Sequence, residues 1–361
     1  MKLPQNKNTI AVMHLRNLQT KKGFVFLLSV FFAIGLYSMS EAKVESGKCS
    51  NCHTMHNSQG GQPMAFQINP AFTGFESEDF PNPSLLVTNC VGCHSSSGTS
   101  TIEDGVPIVF NMNPPVDPLA GGNFCYVRSN NDNGHNVTGI TDADTFTTIP
   151  GSTTAYYQLS CAGEFGCHGD RSIGHNALDA IRTAHHKDDS EGIDGSSVGR
   201  SYRFLDGILG TEDRDWEQDN LNTSHNEYKG DIDFSNTTAI SSLCEQCHED
   251  FHSITGVGIE SPWLRHPTDI VLPSTGEYQY YNGGPGGTAA APYSMIAPLA
   301  RPNLATVADT STINPGTDIV MCLSCHRAHG SPYYKLMRWD YKSDTLSEAL
   351  SGCSICHTSK K

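Results

Sequence analysis

Apolar residues along this chain rarely hold a period for long. The longest apolar run, Phe24 to Leu36, falls short of the roughly 20 residues that cross a bilayer. It follows the cations Lys2, Lys7, Arg16, Lys21 and Lys22 and precedes the small residues around Ala42. That pattern predicts a secretory signal over residues 1–42, with an uncleaved anchor or a later start at Met13 as the alternatives. A helical period appears in SIGHNALDAIRTAHHK, 172–187, where Ile173, Ala177, Ala180, Ile181 and Ala184 share one face. It predicts a helix with His185 nearer that face than His186. Turn-forming stretches such as NMNPPVDPLAGGN (111–123), RSNNDNGHN (128–136) and YYNGGPGGTAAAP (280–292) dominate elsewhere. The expected fold is therefore mostly irregular, with short α-helices and few strands. No boundary stands out, and 43–361 is expected to be one domain.

Such a chain needs a source of compactness other than apolar faces, and its 13 cysteines and 16 histidines supply one. The string C-x-x-C-H occurs at Cys49/Cys52/His53, Cys90/Cys93/His94, Cys244/Cys247/His248, Cys322/Cys325/His326 and Cys353/Cys356/His357. In this pattern two thiols bond to haem vinyl groups while the adjacent imidazole ligates the iron. Zinc half-sites share the C-x-x-C but do not require a histidine immediately after the second cysteine every time. CAGEFGCHG adds a sixth candidate, Cys161 and Cys167 with His168, at an enlarged spacing; its rival is a single thioether with Cys161 disulfide-bonded to Cys125. Six covalently attached haems c would consume twelve cysteines and leave Cys125 over. Packed porphyrins, large apolar plates that bind the ordered chain, would then form the core as a continuous haem stack.

Charge narrows the partners. The full chain carries −15; losing residues 1–42 removes five cations and one anion and leaves −19. So acidic a protein is ill suited to nucleic acid or an anionic membrane surface. Mineral oxides, soluble iron and cationic proteins remain compatible, and export fits a chemistry performed outside the cytoplasmic membrane.

Low-spin haem needs a sixth ligand. Outside the signal and the tethers lie His56, His135, His175, His185, His186, His225, His252, His266 and His329. Three of them follow a tether closely, in CHTMH, CHEDFH and CHRAH. Three or four helical residues advance only about 4.5–6 Å, so such a histidine cannot reach around a porphyrin to the opposite face of the same iron. If it ligates, it ligates a different haem.

CSNCHTMHNSQGG, GHN (134–136), CEQCHEDFH, WLRHP (263–267) and CLSCHRAHGS together resemble the extracellular multihaem cytochromes that polymerise into conductive filaments, the OmcS-like nanowire family. The resemblance covers most of the mature chain. It implies six bis-histidine haems, sparse secondary structure, and a histidine near the amino terminus that ligates a haem of the adjacent subunit. Carried over by position, it implies distal roles for His56, His135, His252, His266 and His329, with His185 completing the set. His56 would serve the haem proximal to His326 of the next protomer. The Cys161 spacing, the AHH segment and HNEY (225–228) depart from that pattern and resemble shorter four-haem filament cytochromes, which keeps His175, His186 and His225 as alternatives. The function implied is electron transfer outside the cell, through a filament, to minerals, other cells or other multihaem cytochromes. A monomeric periplasmic carrier is the alternative. A multihaem reductase would need an open iron, often with a lysine in the proximal place, and no C-x-x-C-K occurs.

Overall fold

The computed structural model describes residues 48–360 except 60–61, 69–74, 79, 175, 187–191, 220–223, 234, 253–265 and 305–310. The expected signal at 1–42, His175 and most of WLRHP lie outside the described residues. All described residues belong to one contact unit, Ala42–Lys361.

Regular structure among them is sparse. The α-helices are α1 (Cys90–Cys93), α2 (Ala177–Ala180), α3 (Ile240–Glu245), α4 (Leu346–Ala349) and α5 (Cys353–Cys356). None is long and apolar enough to cross a membrane. The strands are two or three residues long and pair only in twos, for example Phe66–Ile68 with Phe75–Ser77. Loops rich in glycine, proline and asparagine leave little backbone that could extend these ladders.

The helix expected over 172–187 does not form as one piece. Asn176 caps its start, the side chain accepting from the Leu178 and Asp179 amides. The helical turn then ends at Ala180, and Thr183 adopts φ +69°, a left-handed conformation that ends a right-handed run. A separate 3-10 turn, Ala184–His186, carries both histidines.

The apolar core is divided rather than continuous. One cluster gathers Tyr202, Ile208, Tyr228, Ile240, Ile319 and Met321; a second gathers Leu272, Tyr281, Tyr293, Leu299 and Ile313; a third gathers Phe110, Phe124, Val127 and Val137. Each cluster takes in a residue from within a tether: Leu323 joins the first, Ile355 the second and Val91 the third. Burying that residue fixes which way the flanking thiols point. Arg301 ties the first two clusters together, pairing with Asp318 at 2.5 Å and with Glu227 at 3.7 Å, all three buried.

Candidate metal centres

Every tether closes on itself in the same way. The histidine amide donates to the carbonyl of the first cysteine, at 2.8 Å for His53–Cys49, 2.9 Å for His94–Cys90, 2.9 Å for His248–Cys244, 3.2 Å for His326–Cys322 and 2.8 Å for His357–Cys353. This single turn brings both thiols and the ring to one side. The widely spaced sixth candidate makes the same bond, from His168 to Cys161, at 3.0 Å. Its extra residues are looped out through Gly163 at φ +85°, where a β-carbon would be strained. Cys161 therefore occupies the place of a first tether cysteine. No cysteine is joined to another in a disulfide, Cys125 and Cys161 included.

A hydrogen bond at Nδ1 sets the turn of each tether ring and leaves Nε2 to face a metal. The acceptors are the carbonyls of Ser84 for His53, 2.9 Å; Pro107 for His94, 2.8 Å; Arg203 for His168, 2.9 Å; Pro150 for His248, 2.7 Å; and Lys335 for His326, 2.7 Å. Three of these acceptors sit in one recurring device. Ser84–Leu85, Arg203–Phe204 and Lys335–Leu336 are consecutive residues with φ between +49° and +61°. The first carbonyl of each pair takes the ring nitrogen. The second takes the amide of the residue after the histidine, at 2.8 Å in all three cases (Thr54, Gly169 and Arg327). Left-handed backbone costs about 1–2 kcal/mol per ordinary residue, so these turns are strained positions held by the two hydrogen bonds they accept. Nothing in the dissimilar triplets SLL, RFL and KLM announced them.

His357 differs, for its Nδ1 meets the Glu277 carboxylate at 3.1 Å. Hydrogen bonds from Ser359 first, and then from His357, hold the Glu277 pKa down to about 2.

Five of the six tether rings face a second imidazole. Ring centroids lie 6.0 Å apart for His53 and His186, 6.3 Å for His94 and His185, 6.3 Å for His168 and His329, 6.2 Å for His248 and His135, and 6.1 Å for His357 and His266. Two imidazole nitrogens bound about 2.0 Å from one metal ion on opposite sides put the ring centroids roughly 6 Å apart. These pairs thus fit an iron between them. Burial lowers the pKa of His94, His135 and His168 and pushes His329 down to about 3, which keeps these rings neutral as ligation requires.

His329 faces His168, not the His326 of its own tether, so a second histidine after a tether serves a different site. His185 and His186, joined by one peptide bond, face the rings of two different tethers. His135 is drawn to the segment that bears His329, its amide bonding the His329 carbonyl at 3.1 Å and its Nδ1 the Ala328 carbonyl at 2.7 Å. Backbone crowding there is possible because Gly122, Gly134 and Gly330 meet; a β-carbon on Gly330 would come within 2.7 Å of the Asn123 carbonyl.

Other expected ligands lie elsewhere. His252 lies against two carboxylates, Glu245 2.8 Å from its Nδ1 and Asp269 2.8 Å from its Nε2. His186, held only as an alternative, takes a facing position. Burial works against a charged His252, but the Asp269 and Glu245 carboxylates outweigh it and raise the pKa above its ordinary value. His225 is fully buried and stacks on Tyr293, centroids 3.5 Å apart and rings parallel within 3°. His56 is exposed beside the equally exposed Met55, and no described histidine faces His326.

The thiols of successive tethers also adjoin, in sequence order. Cys52 lies within electrostatic reach of Cys93, Cys90 is beside Cys161, Cys167 is beside Cys247, Cys244 is beside Cys322, and Cys325 is beside Cys353 and Cys356. From the second tether to the fifth, one thiol faces the preceding tether and the other the following one.

Repeated tethers, oriented rings and paired imidazoles define a multihaem c-type cytochrome, an electron-transfer protein. A family model described as a doubled CXXCH motif matches residues 316–361. The C-type cytochrome OmcS of Geobacter sulfurreducens is 28% identical over 413 residues, covering 94% of this chain and 90% of that protein. The chain is homologous to that protein, an OmcS-like multihaem cytochrome. Two solved structures are also similar, each with a TM-score of 0.49 and 21% identity. They are an outer membrane cytochrome S filament from Geobacter sulfurreducens, with 86% of this chain and 98% of that chain covered, and a cryo-EM structure of OmcS nanowires from the same organism, with 88% and 99% covered.

Proposed function

We propose that this cytochrome carries six haems c, every iron between two histidines, and polymerises outside the cell into a filament that conducts electrons. When bound, each haem supplies an Fe(III)/Fe(II) couple. The chain's part is to hold the rings at fixed distance and orientation and to set potentials through the second ligand, neighbouring charge and solvent access. Twelve cysteines tether the haems: Cys49, Cys52, Cys90, Cys93, Cys161, Cys167, Cys244, Cys247, Cys322, Cys325, Cys353 and Cys356. His53, His94, His168, His248, His326 and His357 are the proximal ligands. His186, His185, His329, His135 and His266 serve the first, second, third, fourth and sixth sites. His56 of another copy serves the fifth. The line of adjoining thiols supports a haem path in sequence order through the protomer.

The observation that carries this reading is at His326, which no described imidazole faces, whereas the other five tether rings each have a facing imidazole and His56 stands exposed. A ligand donated across a subunit boundary completes one site and joins two copies in a single bond, and head-to-tail repetition of such a contact grows an open filament. The acidity of the chain supports cationic partners, mineral oxides or other multihaem cytochromes as redox partners and disfavours nucleic acid. The test is His56→Ala. Haem content by peptide mass should stay at six, filaments should vanish in cryo-EM, and one haem should become high-spin. Filaments that persist with a fully low-spin spectrum would remove the basis for this reading and favour a monomeric periplasmic carrier.

A further inference from the structure

The six tether rings are oriented alike except one. Five donate Nδ1 to a neutral backbone carbonyl; His357 donates to the Glu277 carboxylate. The carboxylate is held in place from the same end of the chain. Ser359 gives both its amide, at 3.2 Å, and its hydroxyl to Oε2, and the Thr358 hydroxyl bonds the Glu277 carbonyl at 2.6 Å. The two residues that follow the ligand thus clamp the side chain that orients it. Tyr278 adds an edge-on ring contact to His357 at 5.0 Å.

A carbonyl and a carboxylate do different things to an imidazole. Both fix the tautomer, but an anionic acceptor draws the Nδ1 proton more strongly and leaves more electron density on Nε2. A more basic nitrogen binds Fe(III) better than Fe(II), because the ferric ion carries the higher charge. The effect on the couple is a lower potential.

We propose that Glu277 is a positioning residue that, acting through His357, lowers the potential of the sixth haem below the value a carbonyl acceptor would give. This rests on the reading of His357 as an iron ligand. The site lies at the end of the line of tethers, beside the fifth site whose second ligand is assigned above to another copy. An electron leaving the protomer along that line thus meets a site tuned apart from the other five.

The experiment compares the full holoprotein with Glu277→Gln and Glu277→Asp by spectroelectrochemical titration, with haem mass measured on the peptide bearing Cys353 and Cys356. The Gln variant should keep that haem mass and move one one-electron component upward. At a fixed ambient potential its ferric-to-ferrous ratio should fall about tenfold, which is 59 mV for a one-electron couple. The other components should stay in place, and Glu277→Asp, which keeps the charge, should return most of the shift. An unmoved component, or an equal shift of every component, overturns the proposal. Should the Gln variant fail to assemble, Ser359→Ala removes one donor from the clamp and should give a smaller shift in the same direction; no shift there overturns it equally. Absence of haem mass on this peptide in the unaltered protein overturns the ligand reading itself, a result visible before any potential is measured.

Discussion

Two segments, 325–330 and 247–252, read almost alike: each closes a tether and carries a second histidine three or four residues further on. Their histidines meet opposite fates. His329 lies among neutral groups, with Phe124 stacked at 4.7 Å, and burial keeps its ring uncharged and facing His168. His252 is also enclosed, but the Glu245 and Asp269 carboxylates lie 2.8 Å from its two nitrogens and favour the proton. Spacing from the tether does not decide whether such a histidine can ligate. The charge that approaches it through space does.

The largest effect that could break this contrast is at His329. His329→Ala should convert one haem, the third, from low-spin to high-spin and admit about one equivalent of carbon monoxide to the reduced protein. An unchanged spectrum would show that the facing ring is not a ligand. His252→Ala should do the reverse, keeping every haem low-spin while lowering unfolding free energy by about 1–3 kcal/mol, because the buried Asp269 loses its imidazole neighbour. Loss of a low-spin signal in that variant would restore His252 to the ligand set. Gly330→Ala, which forces a methyl against the Asn123 carbonyl, should cost about 1–3 kcal/mol in denaturant unfolding.

The smallest effect is in pH. Because the folded pKa of His252 is raised above its ordinary 6.5, its ion pairs contribute fully below that value and are lost as pH rises through the folded pKa. Stability should therefore fall over that window in the unaltered protein. Asp269→Asn should flatten the fall; an identical slope would assign the pH dependence to other groups.

The tethers were legible because covalent chemistry fixes both residue type and spacing. Even the looped-out Cys161 could be placed, since the adjacent Cys167-His168 pair survives in the string. Facing histidines were less so. His135, His185, His266 and His329 are where the sequence and its resemblance pointed, but the contrast between His252 and His186 depends on carboxylates and on a break at Thr183 that lie outside any local pattern. The irregular fold was readable from composition, whereas the helix at 172–187 was not, because apolar spacing says nothing of a left-handed residue within it. The ring acceptors escaped altogether: five are main-chain atoms, which every residue possesses.

That last fact bears on how such a protein can drift. An acceptor made of backbone cannot be deleted by exchanging the side chain at Ser84, Arg203 or Lys335; only a rerouted loop removes it. Five of the ring settings are thereby sheltered from most single-codon changes. The sixth, resting on one glutamate, stays open to adjustment, so selection has a dial at the end of the line and fixed fittings along the rest.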